Sequence, residues 1–167
     1  MARTVRKLLA HWVDAAFDTT YEATNYQQIG ADLTEFNIEL NPQVETSQNI
    51  LGENSVKHTG YETSSSVSPV YHDFKKALES KMLELAMARK TGDQCKTSYV
   101  EALYEEQENG SFKLHSAYRE DVLCIPTSYG GDTAGVQVPF DIHYCGNRTK
   151  GTFDKETKKF TPETQTA

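Results

Sequence analysis

Apolar residues occupy every second position between Val136 and Tyr144, and this alternation is the strongest structural signal in the chain. Successive side chains of a β-strand point to opposite faces of a sheet, so the pattern predicts a strand with one buried face. Shorter segments with a similar pattern are separated by Gly, Pro, Asn or Asp, which favour turns. These segments span residues 7–13, 26–29, 34–40, 97–104, 112–118 and 122–125, and a last hairpin joins residues 151–153 to 159–161. The chain is therefore predicted to be mainly β.

One segment has the periodicity of a helix instead. Between Asp73 and Arg89, apolar residues recur at spacings of three and four, which predicts an amphipathic helix with one stripe packed on the sheet. The stripe consists of Phe74, Ala77, Leu78, Met82 and Leu85. Many short strands and one helix predict an α+β chain that is mainly β, with a β-sandwich or barrel-like fold, one flanking α-helix and a long extended loop. Residues 1–167 have the length of a single domain.

The extended loop is predicted over residues 43–69, directly after the strand-breaking pair Asn41-Pro42. A polar, Ser-rich connection of this length is unusual inside a compact domain, and such segments are either disordered or act as binding loops. Apolar residues scattered along the segment favour a binding loop, and they are Val44, Ile50, Leu51, Val56 and Tyr61. Residues 130–132 are predicted to form a flexible loop, and residues 162–167 a flexible C-terminal tail.

Two features suit a chain that depends on copies of itself. Pro139 has no N–H to donate to a neighbouring strand, so its strand is predicted to lie at a sheet edge or a bulge, or to have one side that this chain leaves unpaired. With Gly counted in place of Tyr, apolar residues make up roughly 38% of the chain, against roughly 45–50% in an average globular domain. So low an apolar fraction suits a chain that becomes fully ordered only in contact with other copies, although a polar monomer would have the same composition.

No catalytic, cofactor or metal site is predicted, and the chain is not expected to be an enzyme. Sequence signatures of nucleotide, phosphate and common hydrolase sites are absent. His143 and Cys145 share one face of a strand, as a thiol hydrolase or a zinc site would require, but strand periodicity alone accounts for this. The net charge of −7 disfavours a nucleic-acid binder, because lysine and arginine supply most of the affinity for phosphates.

The remaining sequence signals concern the compartment. Three cysteines without a CxxC pair favour a reducing compartment and free thiols. The N-terminal apolar run is interrupted by His11 and Asp14 before it reaches the length found in signal peptides, and no segment has the length and apolarity of a membrane span. The sequence therefore predicts a protein that is neither exported nor membrane-spanning.

Six strings of residues stand out along the chain. They are NIELNPQVE at residues 37–45, NILG at 49–52, YRED at 118–121, SYGGDT at 128–133, VQVPF at 136–140 and GNRTKGTFD at 146–154. In this order they resemble the major tail tube proteins of long-tailed phages and prophages of Gram-positive bacteria. The resemblance extends from Thr4 to Thr161, but residues 18–28 and 104–114 match nothing in that family.

The resemblance implies a β-sandwich with one helix, whose copies self-assemble into six-membered rings that stack as a hollow tube. It implies as partners a tape-measure protein inside the tube and tail-terminator and distal tail proteins at its ends, with DNA passing through the lumen without specific binding. It also implies a place in the tail of the virion after assembly in the host bacterial cytoplasm, and neither a cofactor nor a membrane. Candidate contacts between subunits are Asn41, Pro42, Val44, Glu45, Ile50, Leu51, Tyr61 and Pro139.

An alternative function is that of a ligand-binding β-sandwich module. Such a module would recognise carbohydrate or peptide through exposed aromatic side chains, and Tyr61, Tyr71 and Tyr129 are the candidate contacts. It would stay monomeric at high concentration and bind its ligand saturably, whereas a tube subunit would polymerise.

Overall fold

The computed structural model describes residues 2–21 and 23–164, which form thirteen strands, one α-helix and two short 3-10 helices. In chain order these strands and the α-helix are β1 (Leu9–Asp14), β2 (Tyr26–Ile29), β3 (Ile38–Glu39), β4 (Pro42–Gln48), β5 (Asn54–Tyr61), β6 (Ser64–Val67), α1 (Ala77–Met87), β7 (Lys96–Glu106), β8 (Phe112–Pro126), β9 (Gly130–Asp132), β10 (Gly135–Gln137), β11 (Phe140–Tyr144), β12 (Thr149–Asp154) and β13 (Lys159–Pro162). The predicted mainly β fold with one α-helix is confirmed. Residues 165–167 of the predicted tail lie outside the described residues, and Pro162 is the last residue of β13.

Nine of the strands form one antiparallel sheet in the order β2-β1-β7-β8-β11-β6-β3, with β12 and β13 attached beside β8. The longest strand, β8, has 15 residues and pairs with β7 on one side. On its other side, residues 117–119 pair with β12 and residues 122–126 pair with β11. The sheet therefore divides at β8 and curls into half a barrel.

The face of the sheet that carries α1 buries the larger core. Residues three and four apart lie on one side of a helix, and Leu78, Met82 and Leu85 are all buried against the sheet. The helix begins at Ala77, four residues later than predicted, so Phe74 lies before it and is 89% exposed. Apart from its first two residues, which are exposed, the predicted stripe is confirmed.

The opposite face of the sheet buries a second, aromatic core. Because β1 alternates, Trp12 points away from the α1 side, where Val13 lies. The hairpin of β12 and β13 covers this second face with Phe153 and Phe160. The ring of Phe153 lies 5.1 Å from that of Trp12, between centroids. Two small cores, one on each face, therefore replace the single large core of a compact domain.

Several predicted strands are confirmed with small shifts at their ends. The strand at residues 26–29 is β2, the predicted strands at residues 97–104 and 112–118 lie in the paired strands β7 and β8, and the last predicted hairpin is β12–β13. Residues 122–125, predicted as a separate strand, continue β8. The first strand begins at Leu9, two residues later than predicted, because Arg6–Leu8 form a 3-10 turn.

The segment at residues 34–40 forms much less strand than predicted. Only Ile38 and Glu39 pair, with the first two residues of β6. Asn41 has a φ of 45°, in the left-handed region, and interrupts the strand between β3 and β4, although its carbonyl oxygen still accepts from the backbone N–H of Glu62. Phe36 is buried from a non-strand segment, with its ring centroid 4.6 Å from that of His11, and Leu40 is exposed. The first part of the alternating segment, residues 34–37, therefore forms no strand.

The strand predicted around Pro139 is divided in two. Because proline cannot donate to a ladder, β10 ends before it and β11 begins after it, and the carbonyl oxygen of Pro139 accepts from the backbone N–H of Thr127 at 3.0 Å. Of the predicted alternatives, a sheet edge is wrong for β11, since β11 pairs with β8 on one side and with β6 on the other. The irregularity expected at Pro139 is present as an interruption of the strand. The predicted flexible loop at residues 130–132 forms β9, which pairs with β10.

The segment predicted as an extended loop, residues 43–69, is more regular than its composition indicates. Its first part forms a hairpin of β4 and β5, and its last part forms β6 inside the main sheet. Both faces of the hairpin are exposed, so its strands carry no buried face that would give a strong apolar alternation. Among the described residues, no helix has the length and apolarity needed to cross a membrane.

Candidate functional site

The strands β4 and β5 pair only with each other, and residues 42–61 are called here the projecting hairpin. At about 3.3 Å per residue, its seven- and eight-residue strands give a length of about 25 Å. All of its residues except Gly60 are exposed. An isolated two-stranded hairpin is only marginally stable in water, so this element is expected to gain its full order against a partner.

The tip of the hairpin is organised by one side chain. The carboxamide oxygen of Asn49 accepts hydrogen bonds from the backbone N–H groups of Leu51 at 2.9 Å and Glu53 at 3.0 Å. Its amide nitrogen donates to the Glu53 carboxylate at 2.7 Å. Gly52 supplies the positive φ of 81° that the turn requires. These contacts fix the backbone of a tip on which Ile50 and Leu51 are almost fully exposed.

The base of the hairpin is held by another asparagine. Asn41 donates from its side chain to the carbonyl oxygen of Glu62 at 2.9 Å, and its own carbonyl accepts from the Glu62 backbone N–H at 3.3 Å. A longer contact of 3.4 Å joins the Asn41 side chain to the Ser64 hydroxyl at the start of β6. The hairpin is thus tied to the sheet through the backbone near its base.

The two faces of the hairpin differ in chemistry. The register pairs Val44 with His58 and Thr46 with Val56, and these four side chains lie on one face. Tyr61 joins them because a bulge between Gln43 and Val44 shifts the register, and its ring lies 4.6 Å from that of His58, between centroids. This face is called the apolar face, and its members are Pro42, Val44, Thr46, Val56, His58 and Tyr61, with the polar pair of Gln48 and Asn54 next to the tip.

The opposite face is polar. Glu45 pairs with Lys57 across the strands and Ser47 pairs with Ser55, so opposite charges and small hydroxyls oppose each other. On the apolar face, by contrast, Val44 is 57% exposed, Val56 71% and Tyr61 57%. Complete burial of an aliphatic side chain is worth roughly 1.5–3 kcal/mol. Burial of the apolar face and the tip against a partner would therefore contribute several kcal/mol that the monomer alone does not gain.

The structure places the predicted contact residues unequally. It brings Pro42, Val44 and Tyr61 onto the apolar face, and it puts Ile50 and Leu51 at the tip. The other three lie elsewhere: Asn41 at the base, Glu45 on the polar face, and Pro139 half-buried between β10 and β11. Their role between subunits stays a prediction.

Sequence reasoning missed several residues of this site. Thr46, Asn49 and His58 were not among the predicted contacts, and Val56 was noted only as a scattered apolar residue. A signal for the hairpin is present in the sequence, because Asn49 and Gly52 mark a turn between two segments that each contain a valine, Val44 and Val56. Had residues 42–61 been predicted as a hairpin, the sequence would also have predicted one apolar and one polar face.

A second exposed feature is the open edge of the main sheet at β2. This strand is the first in the sheet order and pairs only with β1. The side chain of Gln27 in β2 contacts the start of α1, because its oxygen accepts from the Leu78 backbone N–H at 3.1 Å and its nitrogen donates to Glu79 at 2.7 Å. The edge of β2 and the N-terminal end of α1 therefore lie side by side.

The structure does not arrange His143 and Cys145 as the alternative of a thiol hydrolase would require. The Cys145 thiol lies 4.0 Å from the backbone carbonyl of His143 rather than against its ring. Partial burial raises the pKa of the Cys145 thiol, which lowers the fraction of the reactive thiolate. Within residues 2–21 and 23–164, no three His, Cys, Asp or Glu side chains gather as a metal site would require.

The three tyrosines of the ligand-binding alternative lie on different elements. Tyr61 belongs to the projecting hairpin, Tyr71 forms a bridge to Gln137, and Tyr129 lines a groove at the C-terminal end of α1. They are not arranged as one aromatic platform on a single loop surface.

Two of the conspicuous strings contact each other through charged side chains. Arg148 forms ion pairs with Glu101 and with Glu120, the latter at 3.2 Å, and its guanidinium lies 4.3 Å from the centre of the Tyr118 ring. Burial raises the pKa of Glu120, and a hydrogen bond from the Gly146 backbone partly offsets this. These contacts hold the β11–β12 connection against β8, which is a structural role.

A buried histidine lies between the sheet and the N-terminal segment. The His11 ring is hydrogen-bonded to the Tyr99 hydroxyl and, at 2.9 Å, to the Arg6 guanidinium. Burial, and to a smaller extent the positive charge of Arg6, lowers the pKa of His11 to about 4. His11 is therefore neutral in the folded protein at neutral pH.

Together, the fold and the site define a mainly β, one-helix protein that presents a preorganised hairpin with an unpartnered apolar face. No family model matches the chain, and no curated protein matches its sequence. Among solved structures, the chain is similar to the Hcp1 protein from the E. coli EAEC 042 pathovar, in a double mutant form. The identity is 10% and the TM-score 0.40, over 93% of this chain and 96% of that chain. A likeness of this size carries no inference about function.

Proposed function

We propose that this protein is a structural subunit, the major tail tube protein of a phage or prophage, which acts only as a polymer. Its copies form six-membered rings that stack into a tube, and the tube surrounds a tape-measure protein and later conducts DNA. The protein has no catalytic role and needs no cofactor. Its place is the tail of the virion, after assembly in the cytoplasm of the host bacterium.

The observation that carries this proposal is the projecting hairpin. An ordered hairpin of about 25 Å whose valines and tyrosine face water adds nothing to the cores of the monomer and marks a surface for interaction. A subunit of a polymer gains a contact arm, because the apolar face and the tip are buried when the next copy is added. The order of the tip lowers the entropy lost on binding, since Asn49 already fixes the turn.

The resemblance to tail tube proteins supports the same proposal. Two of its strings, residues 37–45 and 49–52, lie at the base and the tip of the projecting hairpin. The net charge of −7 suits a DNA conduit, because carboxylates facing the lumen would repel the phosphates over a range of about 8–10 Å at physiological ionic strength.

The test is the association state of the purified full chain over a wide range of concentration. Sedimentation velocity is expected to show species larger than the monomer that increase with concentration, and negative-stain microscopy is expected to show rings and hollow tubes. A protein that stays monomeric at every concentration, also in the presence of tail initiator proteins, would contradict the proposal. Saturable binding of a carbohydrate or peptide by that monomer would favour the ligand-binding module instead.

A further inference from the structure

A groove lies between the open edge of β2 and the start of α1, and it is called here the α1–β2 groove. Its volume is about 640 Å³. The apolar surface that it exposes comes from several elements, and the residues are Ala16, Ile29, Ala31, Leu33, Pro69 and Ala77. Beneath this surface lie side chains of the larger core, among them Leu78 and Phe140. A cavity of this size accommodates a group of several side chains, since ligand pockets of roughly 300–1,000 Å³ hold drug-sized molecules.

The rim of the groove is partly basic. Lys75 and Lys158 are exposed there, and Lys76 is partly exposed. Two acidic side chains, Asp32 and Glu79, also lie on the lining, so lysines outnumber carboxylates there by three to two. An incoming apolar segment with an adjacent carboxylate therefore meets a rim with a small excess of lysine.

The tip of the projecting hairpin has this chemistry. It presents Ile50 and Leu51 together, and the carboxylate of Glu53 follows two residues after Leu51. The tip contributes nothing to the core of its own chain, because Ile50 is fully exposed. Within one chain, the base of the hairpin adjoins the start of β6 at Ser64, whereas the groove adjoins the end of β6 at Val67.

The tip and the groove are therefore different surfaces of one molecule. A contact between two different surfaces of identical copies is heterologous, and it repeats from copy to copy instead of closing as a two-fold dimer. Such a contact generates a closed ring where its rotation closes, and an open stack or filament where it does not. A tip that enters a groove in this way links copies in one direction, as the stacking of rings requires.

We propose that the α1–β2 groove receives the tip of the projecting hairpin from a second copy of the chain, with Ile50 and Leu51 packed on its apolar lining. This inference rests on the proposed function, because it names the receiving surface for the hairpin of a tube subunit. The open edge of β2 borders the same groove, so backbone groups of the edge are available to the incoming turn.

Cross-linking between two different variants tests this contact. Both variants carry Cys145→Ser, which removes the exposed native thiol, and Cys95 and Cys124 are buried. One variant adds Leu51→Cys at the tip, and the other adds Ala77→Cys at the groove. Both positions are exposed, so the monomer is expected to fold normally. The two proteins differ in mass through an affinity tag, are mixed, allowed to assemble, and treated with a short bismaleimide.

The matched control replaces Ala77→Cys with Met87→Cys at the other end of the same helix. Met87 is also exposed, and at 1.5 Å per residue it lies about 15 Å from position 77 along the helix axis. The expected result is a cross-linked heterodimer with the groove cysteine at a yield about tenfold above that with the control cysteine. Light scattering of the same samples reports assembly independently of the cross-link.

The outcomes separate this inference from the proposed function. If tubes form but the yields at the groove and control positions are equal, the groove is not the receiving surface, while the proposal of a tube subunit stands. If no polymer forms from variants that fold as the parent does, and the parent does not polymerise either, the proposed function and this inference both fail. A strong heterodimer band confined to the groove cysteine, together with normal tubes, supports both.

Discussion

Asn49 shows how one side chain prepares a contact surface. It satisfies two backbone N–H groups of the turn and holds the carboxylate of Glu53, so the tip is ordered without any support from the core. Each such hydrogen bond contributes roughly 0.5–1.5 kcal/mol. Because the tip lies outside both cores, these hydrogen bonds stabilise the local conformation of the turn and contribute little to the free energy of unfolding of the whole protein.

We therefore expect Asn49→Ala to loosen the tip without unfolding the protein. The amide hydrogens of Leu51 and Glu53 are expected to exchange about tenfold faster, since about 1.4 kcal/mol corresponds to a factor of ten. The midpoint of thermal unfolding is expected to stay the same, and assembly to require a higher concentration. Hydrogen exchange by mass spectrometry or NMR measures the first effect.

Asn49→Asp combined with Glu53→Gln is the matched control for that substitution, because it keeps the accepting oxygen at position 49 and a hydrogen-bonding pair without placing two carboxylates in contact. The amide exchange rates of this variant at positions 51 and 53 are expected to lie near those of the parent. Equal rates in the parent and in Asn49→Ala would show that the side chain does not order the turn.

His11 gives a prediction about pH. Its pKa is about 4 in the folded protein, against an ordinary value of 6.5, and burial is the main cause. Between these two values the unfolded chain binds more protons than the folded protein, so the contribution of His11 to stability is complete above pH 6.5 and is lost as the pH falls towards 4. The loss is on the order of 3 kcal/mol over this window.

The variant His11→Gln keeps hydrogen-bonding groups at this position and does not titrate. Its free energy of unfolding, measured by urea denaturation between pH 7 and 4, is expected to fall less steeply than that of the parent. Asp14 and Glu120, whose pKa values burial raises, act in the opposite direction in both proteins and cancel in the comparison. Parallel curves for the two proteins would contradict the buried, neutral state of His11.

At the scale of elements, the projecting hairpin is defined by the difference between its faces. Val44→Thr with Val56→Thr keeps the β-branched shape of both side chains and replaces one methyl group of each with a hydroxyl. We expect the monomer to fold as before, because both residues are exposed. Loss of apolar burial at the contact, about 1 kcal/mol or more per residue, is expected to raise the concentration needed for assembly by at least about tenfold.

The same hairpin offers its own control. Ser47→Thr with Ser55→Thr changes two paired residues of the polar face and leaves the apolar face intact. Assembly of this variant, followed by light scattering against concentration, is expected to match the parent within a factor of about two. An equal loss of assembly in both double variants would mean that the apolar face has no special part in the contact.

The elements also show what the sequence could predict. Strands with one buried face, such as β7 and β8, have alternating apolar and polar residues in the sequence, and the buried stripe of α1 has a helical spacing. The hairpin of β4 and β5 has no strong pattern of this kind, because the monomer buries neither of its faces. Residues 34–40 alternate, but only Ile38 and Glu39 pair with another strand. Strand pairing depends on the arrangement of the whole sheet, which the pattern of one segment does not show.

The candidate site was predictable only in part for the same reason. Residues 43–69 were identified as a contact segment from length and scattered apolar residues, but the register that places Val44, Val56 and Tyr61 on one face depends on a bulge. The α1–β2 groove joins residues from β2, β6 and α1 that are far apart in sequence. The pattern of residues within one segment does not predict such a surface.

At the scale of the whole molecule, the protein consists of a folded body with two small cores and a hairpin that lies outside both. This separation explains how a polar chain has two buried cores and still exposes the apolar side chains that the proposed contact between copies requires. It also means that the hairpin can be removed without damage to the body. Since Pro42 and Tyr61 are neighbours across the strands, a two-residue Asn-Gly turn is able to join them in place of residues 43–60.

The most direct measurement compares this shortened protein with the intact chain at the same high concentration, by sedimentation velocity and negative-stain microscopy. Both proteins are expected to unfold at the same temperature, within about 2 °C, because the hairpin adds nothing to either core. The intact chain is expected to form tubes, and the shortened protein to stay a soluble, folded species that forms none. Normal tubes from the shortened protein would contradict the claim that the projecting hairpin drives assembly.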